Sequence, residues 1–114
     1  MNDPSVKIYL VPGGMMPERK TAGAAAFDVF ARAIVSPDVM DPQKSFLRKT
    51  LFDFKNTPYD LKPQESVLIG IGFLTEMDFP LCYKICRRSG LSSRRIMVMN
   101  NDTIIDSDYR GEAG

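Results

Sequence analysis

Eight prolines and eight glycines are spread along these 114 residues, and they decide what the chain can become. They cut the apolar residues into short runs, the clearest at 6–11, 66–74, 81–87 and 96–99. Runs of that length bounded by Gly, Pro and Asn read as strands, and several alternate apolar with polar residues. Many short strands at short intervals imply a sandwich or barrel rather than βαβ units. The expected fold class is therefore all-β and antiparallel.

Two stretches resist a simple reading. Residues 22–35 are rich in alanine, which favours a helix by propensity. Yet Phe27, Val29, Ala31, Ala33 and Val35 alternate with Asp28, Phe30, Arg32 and Ile34, so a strand fits equally. Residues 36–59 carry Pro37, Pro42 and Pro58 and read as an insertion-like excursion with its own short hairpin or helix. Elsewhere, 61–65 is a turn, and Gly70 and Gly72 permit a bend or a close backbone approach within their strand. Residues 88–93 read as a loop or turn. Residues 96–99 lead through Asn100, Asn101 and Asp102 into a hairpin with a polar tip at 103–112.

With 114 residues, 44% hydrophobic and 25% charged, the chain has the size and composition of one globular domain. No apolar run approaches the roughly 18 residues of a membrane span. The N-terminus lacks the basic start and apolar stretch of a signal peptide. An intracellular, cytoplasmic protein is expected, whether cell- or virus-encoded. A net charge of +1 does not mark a nucleic-acid binder.

Histidine is absent, which removes Ser-His-Asp and Cys-His catalysis and imidazole metal sites. Cys82 and Cys86, four apart on a strand, would be roughly 13 Å apart by strand rise, beyond the reach of a disulfide. They are expected as buried or half-buried free thiols.

Chemistry is left to carboxylates, arginines, hydroxyls and an oxygen-loving metal ion. Asp106, Asp108, Tyr109, Arg110 and Gly111 fall within six residues. They form either a solvated hairpin tip or a site with one carboxylate for a water and one ring for a flat ligand. Arg88-Ser89-Gly90, with Arg87, Arg94 and Arg95 nearby, suits a phosphate, since a guanidinium supplies paired charged donors and glycine admits close backbone. The plain alternative is a solvated basic turn. A nucleic-acid groove fits less well, because no aromatics interleave with these arginines. Asp28 is one carboxylate amid apolar neighbours, facing water or satisfying backbone donors in the plain reading. Together, the three groups suit magnesium-assisted hydrolysis of a nucleoside polyphosphate, where positioning and charge stabilisation supply much of the rate.

The ordered set Thr21-Ala-Gly-Ala-Ala-Ala-Phe-Asp-Val29, Arg88-Ser-Gly-Leu91 and Ile105-Asp-Ser-Asp-Tyr-Arg-Gly-Glu112 resembles the first three motifs of the trimeric dUTPases, the dUTP diphosphatases of the superfamily that also holds dCTP deaminase. The resemblance implies a jelly-roll-like antiparallel β fold and a homotrimer with active sites between subunits. It makes residues 27–35 a strand. It also implies that Asp106 activates the attacking water and that Tyr109 packs on the deoxyribose and leaves no room for a 2′-hydroxyl. Asn100 and the backbone of Ile104 and Ile105 would read uracil. Arg88, Ser89 and Gly90 would hold phosphates, and Asp28 would touch Mg2+ through water. The substrate would be dUTP, the products dUMP and pyrophosphate.

Against the family pattern, Ala26 and Thr103 replace glycines and Arg87 replaces a proline. The pattern continues into a fourth motif and a glycine-rich arm, so the resemblance implies a fold truncated at the C-terminus. A dUTPase-like nucleotide-binding or regulatory protein without turnover is the alternative.

Overall fold

The computed structural model describes residues 5–38, 48–94 and 103–114. It consists of short strands with antiparallel pairing and one five-residue helix. Two compact units are present: Lys7–Thr75 with Arg110–Gly114, and Met1–Val6 with Glu76–Tyr109.

The larger unit is built on β2 (Ala33–Val35), flanked antiparallel by β3 (Thr50–Asp53) and β4 (Leu68–Gly70). The register sets Ile34 opposite Phe52 on one side and Ile69 on the other. All three β2 residues are buried. A strand paired on both edges and covered on both faces calls for a continuous apolar run, and Ala-Ile-Val supplies it.

The alternation upstream does not extend this strand. Phe27 and Val29 are exposed, Ala24 N–H closes a turn on the Thr21 carbonyl at 3.1 Å, and Asp28 makes only an isolated bridge with Glu18. Residues 27–35 are thus strand in their last three positions and at one bridge. The alanines form no helix: Ala33 is paired in β2, and those at 22–26 lie in the turn and bend that follow Thr21.

Residues 50–53 do not make a separate hairpin either. Two aromatic contacts, Phe52 with Phe54 and Phe52 with Tyr59, pack around the edge strand β3 they form on β2.

β1 (Val6–Leu10) pairs with β5 (Phe73–Met77). The apolar run 66–74 is divided between β4 and β5 by Ile71 and Gly72. Gly72 takes a φ of +85°, a left-handed value that glycine adopts without penalty. Its carbonyl accepts from Val11 N–H at 2.9 Å, and a Cβ on Gly14 would stand 1.9 Å from that carbonyl oxygen. The two glycines let the backbones touch. On the turn at 61–65, Glu65 N–H meets the Lys62 carbonyl at 3.1 Å.

The smaller unit contains β6 (Tyr83–Ile85) and β7 (Thr103–Ile105), paired antiparallel with Tyr83 opposite Ile105 and Ile85 opposite Thr103. Between them, α1 (Ser89–Ser93) is a single helical turn where the sequence reads as a loop. Arg94 N–H and the Ser93 hydroxyl both donate to the Gly90 carbonyl, at 3.2 and 3.1 Å. The expected strand at 96–99 lies outside the described residues.

Candidate functional site

β7 sets the geometry of the acidic turn. Strand alternation points Ile105 inward, 6% exposed, and Ile104 outward, 59% exposed. Lys84, directly opposite Ile104, is exposed as well, so an ammonium shares the open face of the strand pair. Immediately after the anchored Ile105 the chain turns, and Tyr109 N–H donates to the Asp106 carbonyl at 3.1 Å. Asp106 is exposed and Tyr109 half-buried. A carboxylate open to water and an aromatic ring therefore sit at the two ends of one four-residue turn.

Arg88, Ser89 and Gly90 are all exposed at the start of α1. Nothing lies within 4 Å of where a Cβ on Gly90 would be, so the backbone there is open to an approaching ligand. The antiparallel register fixes where these groups leave the strand pair. Arg88 follows the Ile85 end, opposite Thr103, whereas Asp106 follows the Ile105 end, opposite Tyr83. The two motifs leave opposite ends of the ladder, roughly 7 Å apart by strand rise.

Asp28 belongs to the larger unit. Its N–H donates to the Glu18 carbonyl at 2.7 Å and its carbonyl accepts from Glu18 N–H at 3.0 Å. The backbone is pinned and the carboxylate half-buried. Among the described residues, no three His, Cys, Asp or Glu side chains gather as a metal cage. A single carboxylate fits a magnesium ion that keeps its waters and takes its other ligands from substrate phosphates. Asn100 lies outside the described residues.

Cys82 and Cys86 are free, as expected, but exposed rather than buried. They fall just beyond the two ends of β6, with exposed Lys84 between them. The strand's inward positions belong to Tyr83 and Ile85, so the alternation that separates the thiols also turns them outward.

Sequence reasoning missed a heavily bonded group. Arg32 and Glu112 form a bidentate ion pair, Nε to Oε2 at 2.8 Å and a terminal nitrogen to Oε1 at 2.6 Å, with side chains 6% and 0% exposed. Gly72 N–H also donates to Oε2 at 2.7 Å, and Arg32 reaches the Thr50 hydroxyl at 3.0 Å. The hydrogen bonds to Glu112 raise the Arg32 pKa further, against the opposing effect of burial. Arg48 Nε donates to the Glu112 carbonyl at 3.1 Å, and Ile71 N–H to the Ala113 carbonyl at 3.0 Å. The one available signal was an arginine inside the apolar run 29–35.

Comparison with known proteins agrees with the motifs. No family model matches, and no solved structure matches. Curated relatives do. A deoxyuridine 5′-triphosphate nucleotidohydrolase of Treponema denticola is 31% identical over 104 residues, 90% of this chain and 57% of the relative. Those of Orientia tsutsugamushi strain Boryong and Agrobacterium fabrum are 32% identical over 108 residues and 30% over 115, covering 93% and 97% of this chain. The chain spans 58% and 61% of those two relatives, less than two thirds in each case.

An antiparallel β protein carrying an exposed acidic turn and an open Arg-Ser-Gly segment is the class that fold and site define. Within that class, the chain is similar over most of its length to curated proteins named deoxyuridine 5′-triphosphate nucleotidohydrolases.

Proposed function

We propose that this chain supplies the catalytic turn and a phosphate-binding segment of a dUTP diphosphatase. The observation that carries the reading is the Asp106–Tyr109 turn, held by buried Ile105 and presenting its carboxylate to solvent. The Asp106 carboxylate orients a water and accepts its proton as the oxygen attacks the α-phosphorus. The bond from that phosphorus to the oxygen bridging to the β-phosphorus breaks, giving dUMP and pyrophosphate. Tyr109 stacks on the deoxyribose and excludes a 2′-hydroxyl. The main chain at Ile104 and Ile105, with Asn100, reads the uracil edge and rejects bases whose polar groups it leaves unpaired.

Arg88, Ser89 and Gly90 clamp phosphates through charged and backbone donors. Asp28 would hold Mg2+ through a water, and the ion would supply charge neutralisation on the phosphates. Departure of Arg88 and Asp106 from opposite ends of the β6–β7 ladder supports a site completed between copies, as in a homotrimer. The relatives' names support dUTP as the substrate. Among the described residues, no helix is long and apolar enough to cross a membrane.

The test is pyrophosphate release from dUTP with magnesium, for the native chain and Asp106→Asn. Asp106 is exposed, so the substitution should leave the fold intact and lower turnover by about 10²–10⁴-fold. Turnover that survives Asp106→Asn overturns the assigned role. Binding of dUTP without pyrophosphate release by the native chain marks the alternative, a nucleotide-binding protein without turnover.

A further inference from the structure

The open face of the β6–β7 pair carries two charged groups, and both belong to the smaller unit. Along β6 and its two flanking residues, Cys82, Lys84 and Cys86 are exposed, while Tyr83 and Ile85 are half-buried. Lys84 is the central residue of the ladder and stands directly opposite Ile104, which is 59% exposed. Asp106 comes two positions beyond Ile104 and is exposed as well. By continuation of that register, Lys84 and Asp106 are diagonal neighbours across the strand pair, roughly 7–8 Å apart.

Among the described residues, neither side chain makes a hydrogen bond or an ion pair. The ammonium has no anion of its own, and the carboxylate has no counterion. At that spacing a third group fits between them, a water against the carboxylate and an anionic oxygen against the ammonium. Lys84 also has a plain role, since a charge on an exposed strand discourages pairing with another sheet. That role is indifferent to which outward position holds the charge. Here the charge is diagonal to the carboxylate assigned to the attacking water. It is also the only cation within β6 and β7.

We infer that Lys84 is a further phosphate-binding residue of the proposed site, donating to an oxygen on the α-phosphorus while Asp106 holds the water. The inference rests on the reading of Asp106 as the water-orienting carboxylate. Attack brings another anionic oxygen to a phosphorus that already bears negative oxygen. A charged donor aimed there offsets the repulsion and acts most strongly in the transition state. An ammonium suits the task, being a compact charge with three donors on a flexible stem. Arg88 leaves the other end of the ladder, so Lys84 supplies positive charge on the face that Asp106 shares.

The experiment acylates the native full chain with acetic anhydride and reads Lys84 by peptide mass spectrometry. Lys84 is exposed and should react readily in the free chain. A dUTP analogue with an imido link between the α- and β-phosphates, with magnesium, should slow that reaction severalfold. Saturating deoxyuridine should not. Protection by deoxyuridine as well means that the nucleoside covers the lysine, and it overturns the inference. Lys84 equally reactive with and without bound analogue also overturns it.

Turnover gives a second reading. Lys84→Gln removes the charge at an exposed position and should lower kcat/KM for dUTP by roughly 10–10²-fold. Lys84→Arg should recover part of the loss. Full turnover in Lys84→Gln, beside its loss in Asp106→Asn, overturns the inference and leaves the proposed function standing. A native chain that neither binds the analogue nor releases pyrophosphate defeats both. Where the chain binds without turnover, protection of Lys84 by the analogue alone decides.

Discussion

Arg32 and Glu112, 80 positions apart, meet as a buried ion pair whose carboxylate also caps the N–H of Gly72. The arginine precedes the central strand and the glutamate lies in the tail that runs beside β4. Removing one partner leaves a buried charge without its counterion. Glu112→Ala should lower the unfolding free energy by about 3–5 kcal/mol, read as a shift in urea midpoint. The double change Arg32→Met with Glu112→Leu should recover part of that loss, because no charge stays buried. The hydrogen bonds raise the Arg32 pKa, so its stabilisation is complete below the ordinary arginine range and fades only above it. Its contribution should therefore be flat across neutral pH.

Two glycines should respond oppositely to alanine. At Gly70 the new Cβ meets Glu112 Oε2 at 2.5 Å and its carboxyl carbon at 2.7 Å. The carboxylate is held and cannot retreat, so Gly70→Ala should cost roughly 1–3 kcal/mol. Gly90 has open space and sits in a helical turn, so Gly90→Ala should be neutral or stabilising by about 0.4–1 kcal/mol. If phosphates approach the backbone there, it should still weaken dUTP turnover. Thermal melts and pyrophosphate release measured on the same samples separate the two effects.

Thr75 on β5 is 3% exposed, and its hydroxyl finds no hydrogen-bond partner among the described residues. An unmet buried hydroxyl costs on the order of 1–3 kcal/mol. Thr75→Val keeps the shape and removes that group, so the melting temperature should rise.

The Tyr59 hydroxyl donates to Glu65 Oε1 at 2.8 Å, which raises the phenol's pKa above the usual tyrosine value. A raised value means the contact holds fully below about pH 10 and is lost as pH climbs through the shifted pKa. In an ultraviolet titration Tyr59 should ionise later in the native chain than in Glu65→Gln.

Much of the local structure was legible from residue order. Pro12 and Gly13 end the first strand, while Gly72, legible only as a bend within one strand, divides that run into β4 and β5. The pair Ile104-Ile105 reads as strand, though which of the two is buried came from the structure. The turn from Asp106 to Tyr109 follows from its polar composition. Asp106, Tyr109, Arg88, Ser89 and Gly90 could be singled out as candidates because their chemistry lies in contiguous motifs.

Other features depended on which segments meet. Residues 27–35 satisfy both a helical and a strand period, and only pairing of Ala33, Ile34 and Val35 on both sides limits the strand to three residues. The thiols of Cys82 and Cys86 read as buried by residue type, yet β6 turns Tyr83 and Ile85 inward instead. The Arg32–Glu112 pair has no local pattern at all. Short-range order encodes backbone geometry and the identity of chemical groups. Burial and ion pairing depend on contacts between distant segments, and those were decided only when the tail at 112–114 met the edge of β4.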